Sequence, residues 1–254
     1  MNISLTLATL LLGHVIGDFY LQTNNMVKKK NASYKWFFAH GIVYATCIVL
    51  ALLSLAWFGG VAYSWNLLWM FILLSCSHLT IDFLKKFIPS QKWLFSIDQA
   101  AHFACILLAW CMWGRGLTVG YYIYEYAGYL NIPLGLLIIL RPVGILLESG
   151  VIWDFNKKKV AQKDDKNKEE KKEQEEQKDA GRIIGYLERI VVYFLLLSGE
   201  YSAIGLVISA KSIARFPEIK DKKSNLKANT YIIGTFLSLT AVVAVAVLLG
   251  LVHS

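Results

Sequence analysis

Three residue pairs at four-residue spacing are equipped for chemistry: His14 with Asp18 in "GHVIGDFYLQ", His78 with Asp82 in "SHLTIDFLKK", and Asp98 with His102 in "IDQAAHF". A fourth histidine, His40, stands in "FAHGIVYA", with Tyr44 four residues on. Neutral imidazole and carboxylate are the ligands of zinc, iron and manganese, and helical bundles build metal sites from such pairs on facing helices. Residues i and i+4 stack on one helix face about 6 Å apart, so each pair points two ligands the same way. The same groups could instead relay protons or simply hydrogen-bond to one another.

All of them fall inside long apolar runs, where an unpaired ionisable group costs about 3 kcal/mol unless it has a function. The 254 residues are 56% hydrophobic and the mean hydropathy is positive. That excludes an ordinary soluble domain and points to an all-α, multi-pass transmembrane helix bundle. The net charge of +8 is carried largely by short loops between apolar runs. With no aromatic-basic face, nucleic acid is excluded as a partner. Cys47, Cys76, Cys105 and Cys111 lie in or beside apolar runs with no CxxC pair, so they read as buried free thiols rather than disulfides or zinc ligands.

Eight spans are predicted, at 3–22, 36–58, 66–86, 94–113, 132–153, 182–199, 201–215 and 229–251. The sixth and seventh form a tight hairpin at Ser198–Ser202. The loops "NNMVKKKNASYK", "KKFIPSQK" and "RFPEIKDKKSNLK" are basic and "FGGVAYSWN" is not, which puts the basic loops in the cytoplasm and both termini outside. Arg115 alone runs against that orientation. The tyrosines of "TVGYYIYEYAGYL" (118–130) suit the headgroup belt. Residues 156–181 are a mixed-charge linker, either a solvated helix or a disordered tether. The chain thus divides into a four-helix bundle with the His/Asp pairs (1–115), an interfacial segment and fifth span (116–155), the charged cytoplasmic linker (156–181) and three C-terminal spans (182–254).

This topology sets depth. In spans one and three the Asp is nearer the cytoplasm and the His one turn deeper. Span four runs the other way and its order is reversed, so Asp98 is again the shallower residue. Three carboxylates form one layer above three imidazoles, with His40 entering near the carboxylate level. The candidate ligands His14, Asp18, His40, His78, Asp82, Asp98 and His102 exceed the usual four of one zinc. They imply two metals, or one metal with further Asp residues orienting His. Zinc fits first, with manganese and iron as alternatives. Asp18, Asp82 and Asp98 are also candidates for catalytic roles, and Gln22 could orient water or substrate.

A second charged cluster occupies the later spans. Arg141 precedes Pro142, which lacks a backbone donor and is expected to kink its helix. Glu148, Arg182, Glu188, Arg189, Lys211 and Arg215 fall toward the cytoplasmic side, and Glu200 at the outer hairpin. Arg141, Arg182, Arg189 and Lys211 could together receive an anionic head group, because guanidinium and ammonium groups hold oxyanions, and Arg141, Glu188, Arg189 and Lys211 are the candidate substrate-binding residues. Interhelical pairing of Glu188 and Glu148 with the same cations is the plainer alternative. In the last span Gly234, Thr235 and Ser238 are expected to permit close packing, and His253 to be an exposed terminal residue.

The stretches "GHVIGDFYLQT", "FAHGIVYA", "SHLTIDFLKK", "IDQAAHF", "GRIIGYLERIVVY", "AIGLVISAKSIARF" and "YIIGTFLS" resemble the bacterial and phage membrane-protein family known as domain of unknown function 3307. That resemblance implies a multi-pass protein of the bacterial inner membrane and carries no activity. A looser similarity, to inner-membrane metal-dependent hydrolases that array His and Asp near the cytoplasmic face, implies hydrolysis of a lipid-linked phosphate or ester. The expected function is therefore an intramembrane metal-dependent hydrolase acting on a membrane lipid or lipid-linked substrate, alone or as a homo-oligomer. A proton- or divalent-cation-coupled transporter is the alternative, and a scaffold locked by polar clusters the third.

Overall fold

Local signals open the first two helices. The Ser4 side chain accepts from the Leu7 amide at 3.3 Å, capping α1 (Leu5–Val15), and Thr23 does the same for Met26 at 3.3 Å, capping α2 (Asn24–Lys29). The computed structural model describes residues 4–30, 33–58, 61, 64–89, 93–115, 117, 121–149, 168–220 and 225–252. Among these residues the structure is all helical, with no strand. After α2 come α3 (Tyr34–Trp57), α4 (Trp65–Lys85) and α5 (Leu94–Ala109). Both α1 and α5 end in a widened π-turn, Ile16–Tyr20 and Trp110–Gly114. Each is closed by an i→i+5 bond: the Leu21 amide donates to the Ile16 carbonyl and Arg115 to Trp110, both at 2.9 Å.

The chain forms two compact units, residues 1–137 and 138–254. In the first, α1 packs on α3, α3 on α4, α4 on α5, and α5 returns to α1. The seam between α1 and α3 depends on two glycines one turn apart. A Cβ on Gly13 would lie 3.0 Å from Ala51 Cβ, and one on Gly17 would lie 3.3 Å from Cys47 Cβ and 3.4 Å from Tyr44 Cα. Small residues at this spacing let helix backbones approach, and the approach carries His14 and Asp18 against the polar face of α3. Leu10, Ile48, Leu55, Met70, Leu74 and Ile106 fill the core. Ile42, Leu50, Trp57, Trp65, Phe103 and Leu108 face outward, the inside-out pattern expected where lipid replaces water.

Only one cysteine matches the expectation of buried thiols. Cys47 is buried, Cys105 is half-buried, and Cys76 and Cys111 are exposed on the apolar surface. Lipid solvates a thiol as readily as a core does, so hydropathy does not separate the two environments.

Helix α6 (Tyr121–Ser149) runs as one element through Pro133 and Pro142. Residues 121–130, read from the sequence as part of an interfacial segment, are its first turns. In the second unit α7 (Lys168–Leu197) packs against α8 (Tyr201–Lys220) and α9 (Asn225–Leu248), and α8 against α9. The tight hairpin between α7 and α8 turns at Gly199, whose φ of 75° suits a residue without Cβ. Residues 168–181 of the expected linker belong to α7, whereas 156–167 and His253 lie outside the described residues. Gly234 does not serve close packing, because a Cβ there would meet nothing within 4 Å.

Among the described residues four helices are long and apolar enough to cross a membrane: Tyr34–Trp57, Trp65–Lys85, Leu94–Gly114 and Gly128–Ser149. Shorter apolar stretches occupy Leu5–Tyr20, Tyr201–Ile213 and Ile232–Leu248. The protein is a helical membrane protein.

Candidate metal centre

Four antiparallel helices bring the end of α1, the start of α3, the end of α4 and the start of α5 to one end of the first unit. The pairs identified from spacing meet there. His14, Asp18, His40, His78, Asp82, Asp98 and His102 are all buried, none more than 8% exposed. They hold two sets of ligand atoms, Asp18–His40–His78 and Asp82–Asp98–His102, each lying within 4.8 Å of one another.

The first set is tight. His40 Nε2 lies 3.1 Å from His78 Nε2, 3.3 Å from Asp18 Oδ1 and 3.3 Å from Asp82 Oδ2. One Nε2 hydrogen cannot serve three such neighbours. A shell of ligands around an ion has such spacings: with bonds near 2.05 Å, ligand–ligand edges are about 3.3 Å in a tetrahedron and about 2.9 Å in an octahedron. The Nδ1 atoms of His40 and His78 have no hydrogen-bond partner. The His78 ring stacks flat on Tyr44, with centroids 3.6 Å apart and planes 3° from parallel, which fixes its plane.

In the second set, Asp98 Oδ2 accepts from Lys85 Nζ at 2.5 Å and from Gln99 Nε2 at 3.3 Å. Its Oδ1 has no partner and stands 3.7 Å from His102 Nε2, also without one. That separation is too long for a hydrogen bond and leaves two ligand-type atoms facing each other across a gap an ion could bridge. Asp82 Oδ2 accepts from Lys30 Nζ at 2.9 Å. The His78 and His102 rings are 4.6 Å apart, so the two sets adjoin.

His14 is placed differently from the other three histidines. Its Nε2 donates to Gln99 Oε1 at 3.3 Å, and its Nδ1 accepts from the Tyr44 hydroxyl at 3.4 Å. This tautomer follows from Gln99, whose Nε2 donates to Asp18 Oδ2 (3.1 Å) and Asp98 Oδ2, leaving Oε1 as the acceptor. With both nitrogens engaged, His14 orients Gln99, and Gln99 ties two carboxylates together. Gln22, with its amide oriented to satisfy both neighbours, donates to the Asp18 carbonyl at 3.0 Å and accepts from Lys30 at 2.8 Å.

Sequence reasoning missed Lys30, Lys85 and Gln99. Gln99 sits inside "IDQAAHF" beside Asp98, and Lys85 follows Asp82 by three residues, one turn nearer the end of α4. Lys30 closes a run of three lysines that reads as an orientation signal, so only its contact with Asp82 reveals a second role.

The other candidates belong to the second unit. Glu188 and Lys211 form an ion pair, and Arg182 lies 3.8 Å from Glu148. Arg141 is half-buried. Arg189 is buried, donates from Nη2 to the Leu140 carbonyl at 3.3 Å, and has no partner for Nε. Together with Glu188, Lys211, Thr235 and Ser238 it lines a small cleft between α7, α8 and α9.

Residues 6–128 match the family described as protein of unknown function DUF3307. The match covers every member of the His/Asp cluster and ends ahead of "GRIIGYLERIVVY", "AIGLVISAKSIARF" and "YIIGTFLS", the C-terminal stretches that share the resemblance. No curated protein and no solved structure matches the chain, and the looser similarity to metal-dependent hydrolases finds no counterpart.

Proposed function

We propose that the first unit is an intramembrane metal-dependent hydrolase of the bacterial inner membrane. Its site opens toward the cytoplasm and acts on a lipid-linked phosphate or ester. The observation that carries this reading is the convergence of Asp18 Oδ1, Asp82 Oδ2 and His78 Nε2 on His40 Nε2 at 3.1–3.3 Å. Beside it, Asp98 Oδ1 and His102 Nε2 face each other without partners. Asp18, His40 and His78 would hold one divalent ion and Asp82, Asp98 and His102 a second, zinc first, with manganese or iron as alternatives. Bound there, such an ion supplies Lewis acidity and lowers the pKa of water toward neutrality.

The chain's own groups do the rest. Tyr44 holds the plane of His78. Gln99 keeps Asp18 and Asp98 in register, and His14 keeps Gln99. Gln22 ties Lys30 to the Asp18 backbone at the mouth of the site. In the second unit Arg141, Glu188, Arg189 and Lys211 are the candidates for holding an anionic head group, with Lys211 paired to Glu188.

The test is metal content, by elemental mass spectrometry on detergent-purified protein never exposed to a nickel column. Zinc, manganese or iron near two ions per chain, one of which is lost in a His78→Ala variant, supports the centre, and lipid phosphates and esters are then assayed for hydrolysis. A well-folded protein without metal refutes it. One observation favours the rival, a divalent-cation carrier: Lys30 and Lys85 already neutralise Asp82 and Asp98 without an ion, as exchange of lysine for cation would require. Labelled-cation uptake into proteoliposomes, abolished by Asp82→Asn, would decide for the carrier.

A further inference from the structure

The charges around the metal centre discriminate between a phosphate and an ester. Resting on the reading above, we infer that the group bound and cleaved is a phosphomonoester dianion, received by Lys30 and Lys85. Two ammonium groups stand on the more exposed side of the cluster, each paired with a buried carboxylate. The Asp82 and Asp98 side chains are each 4% exposed, whereas Lys30 is 12% and Lys85 31% exposed. At Asp82 and Asp98 the ammonium is the more solvent-exposed partner of each pair.

Three carboxylates and two lysines sum to −1. Two divalent ions bring the buried centre to +3, a charge that a low-dielectric surrounding strongly disfavours. A phosphomonoester dianion together with one hydroxide returns it to zero. A phosphodiester with hydroxide leaves +1, and a neutral carboxylic ester with hydroxide leaves +2. Only the monoester closes the count.

Donors are in place to receive it. An ammonium has three N–H groups. Among the described residues Lys30 uses two, on Asp82 and Gln22, and Lys85 uses one, on Asp98. The remainder are free for phosphoryl oxygens. Gln22 anchors Lys30 from a backbone carbonyl of α1, so the ammonium is positioned before substrate arrives. In the reaction, water's oxygen bonds to phosphorus and the bond from phosphorus to the alcohol oxygen breaks. One water hydrogen ends on the alcohol and the other on the released hydrogen phosphate, so charge is conserved at −2.

The experiment uses the full chain in nanodiscs, metal-loaded, with inorganic phosphate as the first probe. Phosphate is expected to slow stripping of metal by a chelator, and the Lys30→Met/Lys85→Met double variant to weaken that effect by about tenfold or more while still binding metal. Lys30→Arg/Lys85→Arg, which keeps the charge, restores it and controls for folding. Hydrolysis is then compared on phosphatidate in nanodiscs, a soluble phosphomonoester, phosphatidylglycerol as a diester, and a neutral carboxylic ester. Cleavage of phosphatidate alone assigns a lipid source, and cleavage of both monoesters assigns the shared headgroup chemistry. A metal-loaded protein that ignores phosphate, or that prefers the neutral ester or the diester, overturns this inference and leaves the metal centre standing. A protein that binds no metal overturns both.

Discussion

The most discriminating perturbation separates the two ligand sets. His78→Ala removes one of three protein ligands from Asp18–His40–His78 and leaves Asp82–Asp98–His102 intact, whereas His102→Ala does the reverse. A structural zinc is held by about 10–16 kcal/mol shared over four ligands, so one ligand is worth about 3–4 kcal/mol, or a factor of roughly 10² to 10³ in Kd. Wild-type protein should bind two ions per chain. Each single variant should keep one ion and release the other at chelator concentrations the wild type withstands. The sets are not independent: the two rings are 4.6 Å apart and His40 Nε2 is 3.3 Å from Asp82. The retained ion should therefore also shift, by about 1–3 kcal/mol at most. Equilibrium dialysis against a graded chelator series, read by elemental mass spectrometry, gives stoichiometry and affinity together. Two ions retained at wild-type affinity in either variant would refute the ligand assignment. Loss of both ions in one variant would refute the division into two sets.

Four further outcomes follow from packing and pairing. Gly13→Val or Gly17→Val should destabilise the first unit by about 1–3 kcal/mol, because Ala51, Cys47 and the α3 backbone already sit at contact distance. Gly234→Ala, with nothing within 4 Å, should be neutral or stabilising by about 0.5–1 kcal/mol, both read as thermal unfolding in detergent. Tyr44→Phe keeps the stack on His78 and loses only the bond to His14, for about 1 kcal/mol, while Tyr44→Ala should cost about 3–5 kcal/mol. Lys211→Met should destabilise more than the double variant Glu188→Gln/Lys211→Met, since alone it removes the ammonium paired with a part-buried carboxylate. A double variant less stable than Lys211→Met would contradict that.

What was legible in the sequence is the helical period of the ligands. His14–Asp18, His78–Asp82 and Asp98–His102 share a face by spacing alone, and alternate spans must run in opposite directions, so meeting at one end follows from counting. Contacts that cross elements were not legible. Gln99 bonds to partners 81 and 85 residues away, and Lys30 to one 52 away, separations that no local pattern encodes. Gly13 and Gly17 stand four residues apart in the sequence, but their role depends on Ala51, Cys47 and Tyr44 of another helix. Gly234 shows the converse, a glycine with the right composition around it and no neighbour to admit. The mixed-charge segment left helix and disorder open, and residues 168–181 are helical as the start of α7.

The π-turn at Ile16–Tyr20 makes residue number, as well as residue type, a determinant of the site. Such a turn holds one residue more than an α-helix needs over the same rise. Substitutions at Ile16 or Tyr20 leave the count intact. An in-frame deletion of Ile16 lets the segment close as ordinary α-helix and leaves Asp18 three residues from His14 instead of four, where one residue of α-helix is about 100° of rotation. Asp18 could then no longer face α3 together with Gly13 and His14. Such a deletion would disable the centre as thoroughly as the loss of Asp18, with every ligand still encoded.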